Sequence, residues 1–194
     1  MRAIRLKTFR LIPALALSLV MLSTVGCDIF DTREPEPPGS GGTPWEPPTV
    51  PSIVFTNLTT GLEDLTGVNY EKSLGETFKF VPMPADVDRL GPEVFADWTK
   101  SVEVDVTQRI LAAASSVEVS FINPEQTLDQ DPFATFEAPY ELIVTDTQGK
   151  KETYKGRARF DMQRLSQGWH LIQWEDLEGV QGFATWGYLR GTTR

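Results

Sequence analysis

The sequence contains one cysteine and one histidine in 194 residues, Cys27 and His170. A single cysteine cannot form an intramolecular disulfide. One thiol and one imidazole are also too few ligands for a zinc-type site. We therefore expect no metal centre, no redox chemistry and no cofactor.

Basic residues are scarce as well. The chain has 18 Lys and Arg residues against 27 Asp and Glu, a formal charge of −9. Four of the basic residues (Arg2, Arg5, Lys7 and Arg10) lie in the first 26 positions, which hold no acid, so residues 27–194 carry 14 basic and 27 acidic residues, or −13. Binding to phosphate backbones needs clustered Lys and Arg. The composition therefore excludes nucleic acid as an expected partner.

The amino-terminal residues have the pattern of an export signal. A basic segment ends at Arg10, and residues 11–22 form an apolar core. That core is too short to span a bilayer comfortably and has the length found in secretory signals. We predict a signal peptide over residues 1–26.

The end of this signal, Thr24-Val25-Gly26-Cys27, resembles the lipobox of bacterial lipoproteins. The resemblance implies that Cys27 carries lipid and that the mature protein is anchored to a membrane of the bacterial cell envelope, facing the periplasm. Thr24 stands where the family favours leucine, and ordinary signal cleavage at the same bond, leaving a free thiol, is the alternative. Asp28 resembles the inner-membrane retention signal of some enteric bacteria, which leaves the choice of membrane open.

Residues 27–50 are predicted to form a disordered tether behind the lipidated cysteine. Six prolines and a Gly-Ser-Gly-Gly stretch occupy this segment, which has too little apolar surface to offset the entropy of ordering it. Such a composition gives an extended spacer with a flexible joint. For Trp45 three interpretations stay open: docking on the domain, contact with lipid headgroups, or exposure in the linker.

Residues 51–194 are predicted to form one α+β domain. Val54, Leu58, Leu62 and Leu65 recur at helical spacing behind a capping Ser52, and a second short helix is predicted at residues 69–74. A strand at 76–81 precedes a helix, or a broken pair of helices, from Pro92 to about Ala113. From residue 117 to the end, alternating apolar residues predict an antiparallel meander.

Several motifs of this domain are similar to those of the NTF2-like (nuclear transport factor 2-like, cystatin-like cone) superfamily. They include Asn69-Tyr70, Phe78-Lys79-Phe80-Val81-Pro82, the segment 156–160, the segment 168–176 and Thr185-Trp186-Gly187. The resemblance implies amino-terminal helices packed on a strongly curved antiparallel sheet. The superfamily includes isomerases, dehydratases and proteins without known activity. Since the Tyr and Asp constellation of its steroid isomerases has no matching positions here, no catalytic residue is carried over.

The connection at residues 165–168 predicts a register in which Arg164, Met162 and Phe160 face Trp169, Leu171 and Gln173. The helix-covered face would then line the pocket of the cone, which in the resembling fold accepts a small apolar ligand. The predicted pocket-lining side chains are Phe80, Trp98, Tyr154, Phe160, Met162 and Trp169. The opposite face would carry Asp161, His170 and Trp174.

A turn at Gln148-Gly149 predicts that Tyr140, Leu142 and Val144 join Ile172 and Trp174 on that outer face. Exposed apolar area suggests association, so we expect a homodimer through the outer sheet face or a partner protein. On the same face, a cation–π pair between Arg159 and Trp174 is predicted. His170 is interpreted as solvent-facing or interfacial, and Glu175-Asp176 as the polar end of an exposed strand.

Two functional hypotheses remain. The first is a membrane-tethered periplasmic lipoprotein with a non-enzymatic binding or interaction domain. The second is a small enzyme of isomerase or dehydratase type that acts on an apolar ligand in the cone. A filled interior favours the first hypothesis, and two ionisable groups converging on an apolar cavity favour the second.

Overall fold

The computed structural model describes residues 43–194. The predicted signal peptide, Cys27 and the first part of the predicted tether lie outside the described residues. In this part of the chain the helices are α1 (Pro51–Glu63), α2 (Val68–Ser73), α3 (Pro84–Leu90), α4 (Pro92–Phe95), α5 (Lys100–Ala113) and α6 (Trp186–Thr193). Its strands are β1 (Leu74–Val81), β2 (Ala114–Phe121), β3 (Glu125–Gln130), β4 (Phe133–Asp146), β5 (Lys151–Leu165) and β6 (Gly168–Gly179). Within residues 43–194, no helix is both long enough and apolar enough to cross a bilayer.

The strands form one curved, unclosed sheet in the order β1-β6-β5-β4-β2, with β3 also paired to β4. All neighbours are antiparallel except β1 and β6, which run parallel. Helix α1 packs on β2 and β6, and α5 packs on β1 and β2, so the helices cover the inner face of the sheet. The predicted α+β architecture, with amino-terminal helices on a curved sheet, is confirmed.

The amino-terminal helices follow the apolar periodicity of the sequence. Val54, Leu58 and Leu62 are buried on one face of α1, as their spacing predicts. The prediction of Ser52 as the cap is wrong, because α1 begins at Pro51 with Val50 as its N-cap and makes no side-chain cap bond. Proline fits this first turn since its missing N–H would have no partner there.

The helix predicted from Pro92 is a broken pair. It stops at Phe95 and restarts at Lys100, with Asp97 at a φ of 52° between the two segments. The β-branched run 102–106 lies in α5, where burial of Val106, Ile110 and Leu111 outweighs its strand propensity.

Gly61 allows α1 and α2 to come into close contact. A Cβ at this position would lie 2.2 Å from the backbone nitrogen of Tyr70. Since backbone cannot move as a side-chain tip does, we expect Gly61→Ala to lower the free energy of unfolding by about 1–3 kcal/mol. Urea denaturation followed by circular dichroism measures the loss. The exposed helical Thr56→Ala is the control, and an equal loss in both variants would contradict this account.

The prediction that the chain is β-structure to its end is wrong. Residues 186–193 form helix α6, whose N-cap Thr185 accepts a hydrogen bond from Tyr188 N at 2.9 Å. Helix α3 and strand β3 were also not predicted. Strand β3 is exposed along its length, so it lacks the buried alternation that identifies a strand in a sequence.

The register of β5 and β6 is correct only next to the turn. Arg164 pairs with Trp169 and Met162 with Leu171, as predicted, but Phe160 pairs with Trp174 and not with Gln173. A bulge between Asp161 and Met162 shifts the pairing by one residue. Trp174 is therefore fully buried on the inner face, and its predicted outer position is wrong.

The face predicted for Tyr140 and Leu142 from a turn at Gln148-Gly149 is wrong, because the register of β4 and β5 differs by one residue from the one that this turn implies. Leu142 pairs with Tyr154, and Tyr140 with Gly156. A shift of one residue exchanges the two faces of a strand, which explains why Tyr140 and Leu142 are buried in the core. Tyr140 and Leu142 therefore do not form the apolar outer patch on which the expected homodimer depends. Homodimerisation stays a prediction that light scattering can check.

The outer face is instead occupied by ion pairs. Arg159 contacts Glu137 at 3.1 Å and Glu175 at 3.3 Å, and Arg157 contacts Glu137 at 2.6 Å. The predicted cation–π pair between Arg159 and Trp174 is wrong, because the two side chains lie on opposite faces of the sheet.

The last residues of the predicted tether are bound to the domain. Buried Asn57 accepts a hydrogen bond from Glu46 N at 3.2 Å and donates one to Glu46 O at 2.7 Å. Pro48 is buried, and its carbonyl accepts from Trp169 N at 2.8 Å. Trp45 is half-buried with Lys72 over its ring at 5.9 Å, so of its three interpretations the structure shows docking on the domain.

Candidate functional site

The interior of the curved sheet is occupied by a charged side chain. Arg190, on the inward face of α6, is fully buried. Its guanidinium carbon lies 4.3 Å from the ring centre of Trp174, 4.4 Å from that of Phe80 and 4.8 Å from that of Trp186. Aromatic faces attract a cation electrostatically, and the attraction is stronger where water is excluded. Three rings and a guanidinium thus fill the centre of the cone.

Glu103 of α5 provides the counter-charge and is also fully buried. Its Oε1 accepts from Arg190 Nη2 at 2.8 Å and Nε at 2.9 Å, and its Oε2 accepts from Trp98 Nε1 at 2.8 Å. The Tyr70 hydroxyl donates to Oε1 of Glu103 and accepts from Arg190 Nη2 at 3.1 Å. Burial by itself would lower the pKa of Arg190, but the Glu103 carboxylate and the Tyr70 oxygen raise it overall. Arg190 is therefore charged at any physiological pH.

A second buried carboxyl, Asp176, lies at the start of α6. Its Oδ2 accepts from Gly187 N at 2.9 Å and from the Tyr140 hydroxyl at 3.3 Å, and its Oδ1 accepts from Trp174 Nε1 at 2.9 Å. Burial raises the pKa of Asp176 to about 6, although Arg190 and the hydrogen bonds oppose this effect. The interpretation of Asp176 as the polar end of an exposed strand is wrong.

Helix α6 is held at its amino end by this carboxyl and two further groups. The Tyr140 hydroxyl accepts from Trp186 N at 3.0 Å, and the Thr185 hydroxyl donates to Asp86 Oδ2 at 2.5 Å. Burial raises the pKa of Asp86 as well. The first N–H groups of a helix have no partner within the helix and favour negative charge nearby. Asp176 and Tyr140 therefore fix the position from which Arg190 reaches the interior.

The six predicted pocket-lining residues are all buried, namely Phe80, Trp98, Tyr154, Phe160, Met162 and Trp169. Phe80 and Trp98 contact the Arg190–Glu103 pair, and Phe160 lies 4.7 Å from Trp174 between ring centres. Four cavities found among residues 43–194 have volumes of 460 to 540 Å³, and none of them is lined by any of these six side chains. All six side chains thus belong to the hydrophobic core, and Phe80, Trp98 and Phe160 lie next to Arg190 or its partners.

His170 lies apart from this network. It is half-buried on the other face of the sheet, and its Nδ1 lies 3.0 Å from Gly168 O. It lines a surface cleft of about 540 Å³ together with Trp45 and Lys100. Within residues 43–194, no three His, Cys, Asp or Glu side chains are grouped so that they could hold a metal ion.

Sequence reasoning missed Arg190, Glu103 and Tyr70 as parts of one network. A usable signal was present in Thr185, a good N-cap, followed by Trp186 and Arg190 at a spacing of four. Glu103 and Arg190 are 87 positions apart in the sequence, so no local pattern predicts their contact.

Comparison with known proteins yields structural likeness only. No family model and no curated protein matches the sequence. Among solved structures, a candidate scytalone dehydratase from Novosphingobium aromaticivorans superposes with a TM-score of 0.56 at 9% identity, over 66% of this chain and 81% of that one. The β subunit of a candidate aromatic-ring-hydroxylating dioxygenase from the same organism superposes with a TM-score of 0.53 at 14% identity. The match covers 70% of this chain and 91% of that one. The domain has the NTF2-like fold.

At these identities the NTF2-like neighbours establish the fold and nothing about activity. A Mycobacterium tuberculosis protein of unknown function also has this fold, with a TM-score of 0.52 at 7% identity over 68% of this chain and 70% of that one. The NTF2-like neighbours therefore include proteins named as enzymes and proteins without an assigned role.

Proposed function

We propose that this protein is a membrane-tethered periplasmic lipoprotein whose NTF2-like domain binds or interacts without catalysing a reaction. The observation that carries the proposal is the buried Arg190, which fills the interior of the cone between Trp174, Phe80 and Trp186.

The carboxylates of the interior are satisfied by neighbouring groups, whereas Arg190 Nη1 is buried without a hydrogen-bond partner. Both oxygens of Glu103 and both oxygens of Asp176 accept hydrogen bonds from protein donors. A small-molecule site usually needs a concave volume of about 300–1,000 Å³ with polar groups free to meet the ligand. A substrate entering here would have to displace an ion pair, and breaking a buried ion pair is costly. The interior therefore supports a structural use of these residues.

The sequence supports the anchor. A lipid chain on Cys27 would hold the protein at the membrane through burial of its methylenes, and more than one chain makes the attachment stable. Between Cys27 and the domain-bound segment lie residues 28–42, which are rich in proline and glycine. Fully extended, these 15 residues would span at most about 50 Å.

We expect mass spectrometry of the protein from its native membrane to find a chain beginning at Cys27 and carrying a diacylglycerol and an acyl group. The variant Cys27→Ala should leave the membrane fraction, because an isolated apolar signal of this length is a weak anchor. The control is Thr43→Ala, a substitution in the same amino-terminal region that leaves the cysteine intact. An unmodified thiol at Cys27 in membrane-extracted protein would exclude lipidation.

The alternative function is an isomerase- or dehydratase-type enzyme acting on an apolar ligand. The Asp176–Tyr140 contact favours it, because a buried carboxyl with a pKa of about 6 can exchange a proton near neutral pH. Extraction of the purified protein with organic solvent identifies any apolar molecule that it holds, and incubation with that molecule separates the two hypotheses. Conversion of the molecule by the unsubstituted protein, but not by Asp176→Asn, would support the enzyme and overturn the non-enzymatic role proposed here; recovery of the molecule unchanged would support binding.

A further inference from the structure

A cleft of about 540 Å³ lies where the domain-bound end of the tether meets the sheet. Its walls come from the tether, from α2 and β1, from the start of α5 and from the β5–β6 turn. They include Trp45, Lys72, Glu76, Lys100, Gln167 and His170. The cleft is distinct from the filled interior of the cone, because its lining includes neither Arg190 nor Asp176.

The cleft surrounds one carboxylate with basic groups. Glu76 Oε1 lies 2.7 Å from Lys100 Nζ, and the Glu76 side chain is 88% exposed while that of Lys100 is only 21% exposed. The hydrogen bond and charge of Lys100 lower the pKa of Glu76, and nearby His170 adds to this effect. Lys72, a third basic group, lies over the Trp45 ring. The Lys100 side chain is thus mostly buried, whereas the Glu76 carboxylate and Lys72 are exposed to solvent.

We propose that this cleft binds an organic anion whose carboxylate or phosphate replaces the Glu76 carboxylate beside Lys100 and His170. The proposal rests on the binding role proposed above and assigns a site and ligand class to it. An exposed ion pair contributes little stability, so Glu76 is displaced at low cost. A ligand with the same charge regains the contact with Lys100, and its carbon body packs against Trp45, which gives the affinity that Glu76 alone lacks.

Two sources could present such an anion: a soluble organic acid or a phospholipid headgroup. Trp45 follows Cys27 by 18 positions, so the cleft can lie no farther than about 60 Å of extended chain from the anchor. Both sources are therefore within reach. Benzoate represents the soluble acid, and glycerol phosphate represents the headgroup.

Isothermal titration calorimetry on the full chain in neutral detergent micelles tests the proposal, with benzoate, glycerol phosphate and inorganic phosphate as probes. We expect at least one organic probe to bind more tightly than inorganic phosphate and to bind less tightly at high salt. The variant Lys100→Met should weaken that binding by about fivefold or more, because the anion loses its ion-pair partner. Glu76→Gln should strengthen the binding by a similar factor, because the internal competitor loses its charge. The matched control Lys151→Met, an exposed lysine of β5, should leave the affinity unchanged.

A tighter complex with benzoate would assign the site to soluble acids, and one with glycerol phosphate to headgroups. The proposal is overturned if no organic probe binds, or if Lys100→Met and Lys151→Met have equal effects. Weaker binding in Glu76→Gln would also overturn it. Lipidation of Cys27 is tested separately, because mass spectrometry detects the lipid directly. A Cys27 without lipid would therefore contradict the anchor proposal and leave the calorimetric test of the cleft unaffected. Chemical conversion of a bound probe would contradict the non-enzymatic role while leaving the cleft as its site.

Discussion

Replacing Arg190 with methionine should lower the free energy of unfolding by about 3–5 kcal/mol. Methionine approximates the length of the arginine stem, so the loss reflects charge more than volume. Without the guanidinium, Glu103 is an unpaired carboxylate in a site with no exposure, and Tyr70 loses a hydrogen-bond donor. Guanidinium chloride denaturation with an unchanged m-value measures the effect as a shift in midpoint.

A surface arginine provides the control for this substitution. Arg164 pairs with Asp131, but both side chains are more than half exposed, so Arg164→Met should cost no more than about 1 kcal/mol. In the double variant Arg190→Met with Glu103→Gln, no charge is left unpaired, and the loss should be smaller than the sum of the two single losses. Equal losses for Arg190→Met and Arg164→Met would show that the buried pair does not stabilise this fold.

The two ends of the domain meet through this ion pair and its neighbours. Tyr70 comes from α2, Glu103 from α5 and Arg190 from α6, four positions before Arg194. Buried ion pairs contribute little to stability compared with a well-packed apolar core. An alternative packing that separates the two charges is nevertheless destabilised, because it leaves a buried charge without its partner. We infer that the network fixes the position of α6 over the open sheet, where aromatic packing alone would allow several arrangements.

Elements with a local apolar period could be predicted from the sequence. The helical spacing of Val54, Leu58 and Leu62 and the alternation along β5 each depend on neighbouring residues only, and both predictions hold in the structure. The α+β class could be predicted for the same reason, whereas the strong curvature of the sheet was implied by the resemblance to the NTF2-like superfamily.

Register and long-range contacts could not be predicted in this way. The sequence contains no mark of the bulge between Asp161 and Met162, yet this bulge moves Trp174 from the outer face to the core. The one-residue error at the Gln148-Gly149 turn likewise placed Tyr140 and Leu142 on the wrong face. Because Trp174 and Tyr140 both bind Asp176, these two errors together concealed the polar network of the interior.

The stability of the domain should rise as the pH falls from 7 to 5, because the folded state binds a proton at Asp176 that the unfolded state does not. The pKa of this group is raised from 3.8 to about 6. Because the pKa of the Asp176 carboxyl is higher in the folded state, ionisation of this group lowers the free energy of unfolding. The loss is absent below pH 3.8, grows between pH 3.8 and about pH 6, and is complete above about pH 6. The full penalty is about 3 kcal/mol.

Urea denaturation at half-unit steps from pH 5 to pH 7.5 measures this dependence. Asp86 faces the same region, and since burial raises its pKa too, it contributes with the same sign. Arg190 stays charged and contributes no slope.

The variant Asp176→Asn should lower stability at pH 5, where the protonated carboxyl is well accommodated, and should flatten the slope between pH 5 and pH 7. Glu118→Gln, at an exposed position of β2, should keep the slope of the unsubstituted protein. A domain whose stability rises with pH over this interval would show that Asp176 is ionised in the folded state at less cost than its burial implies, and that Arg190 neutralises two carboxylates at once.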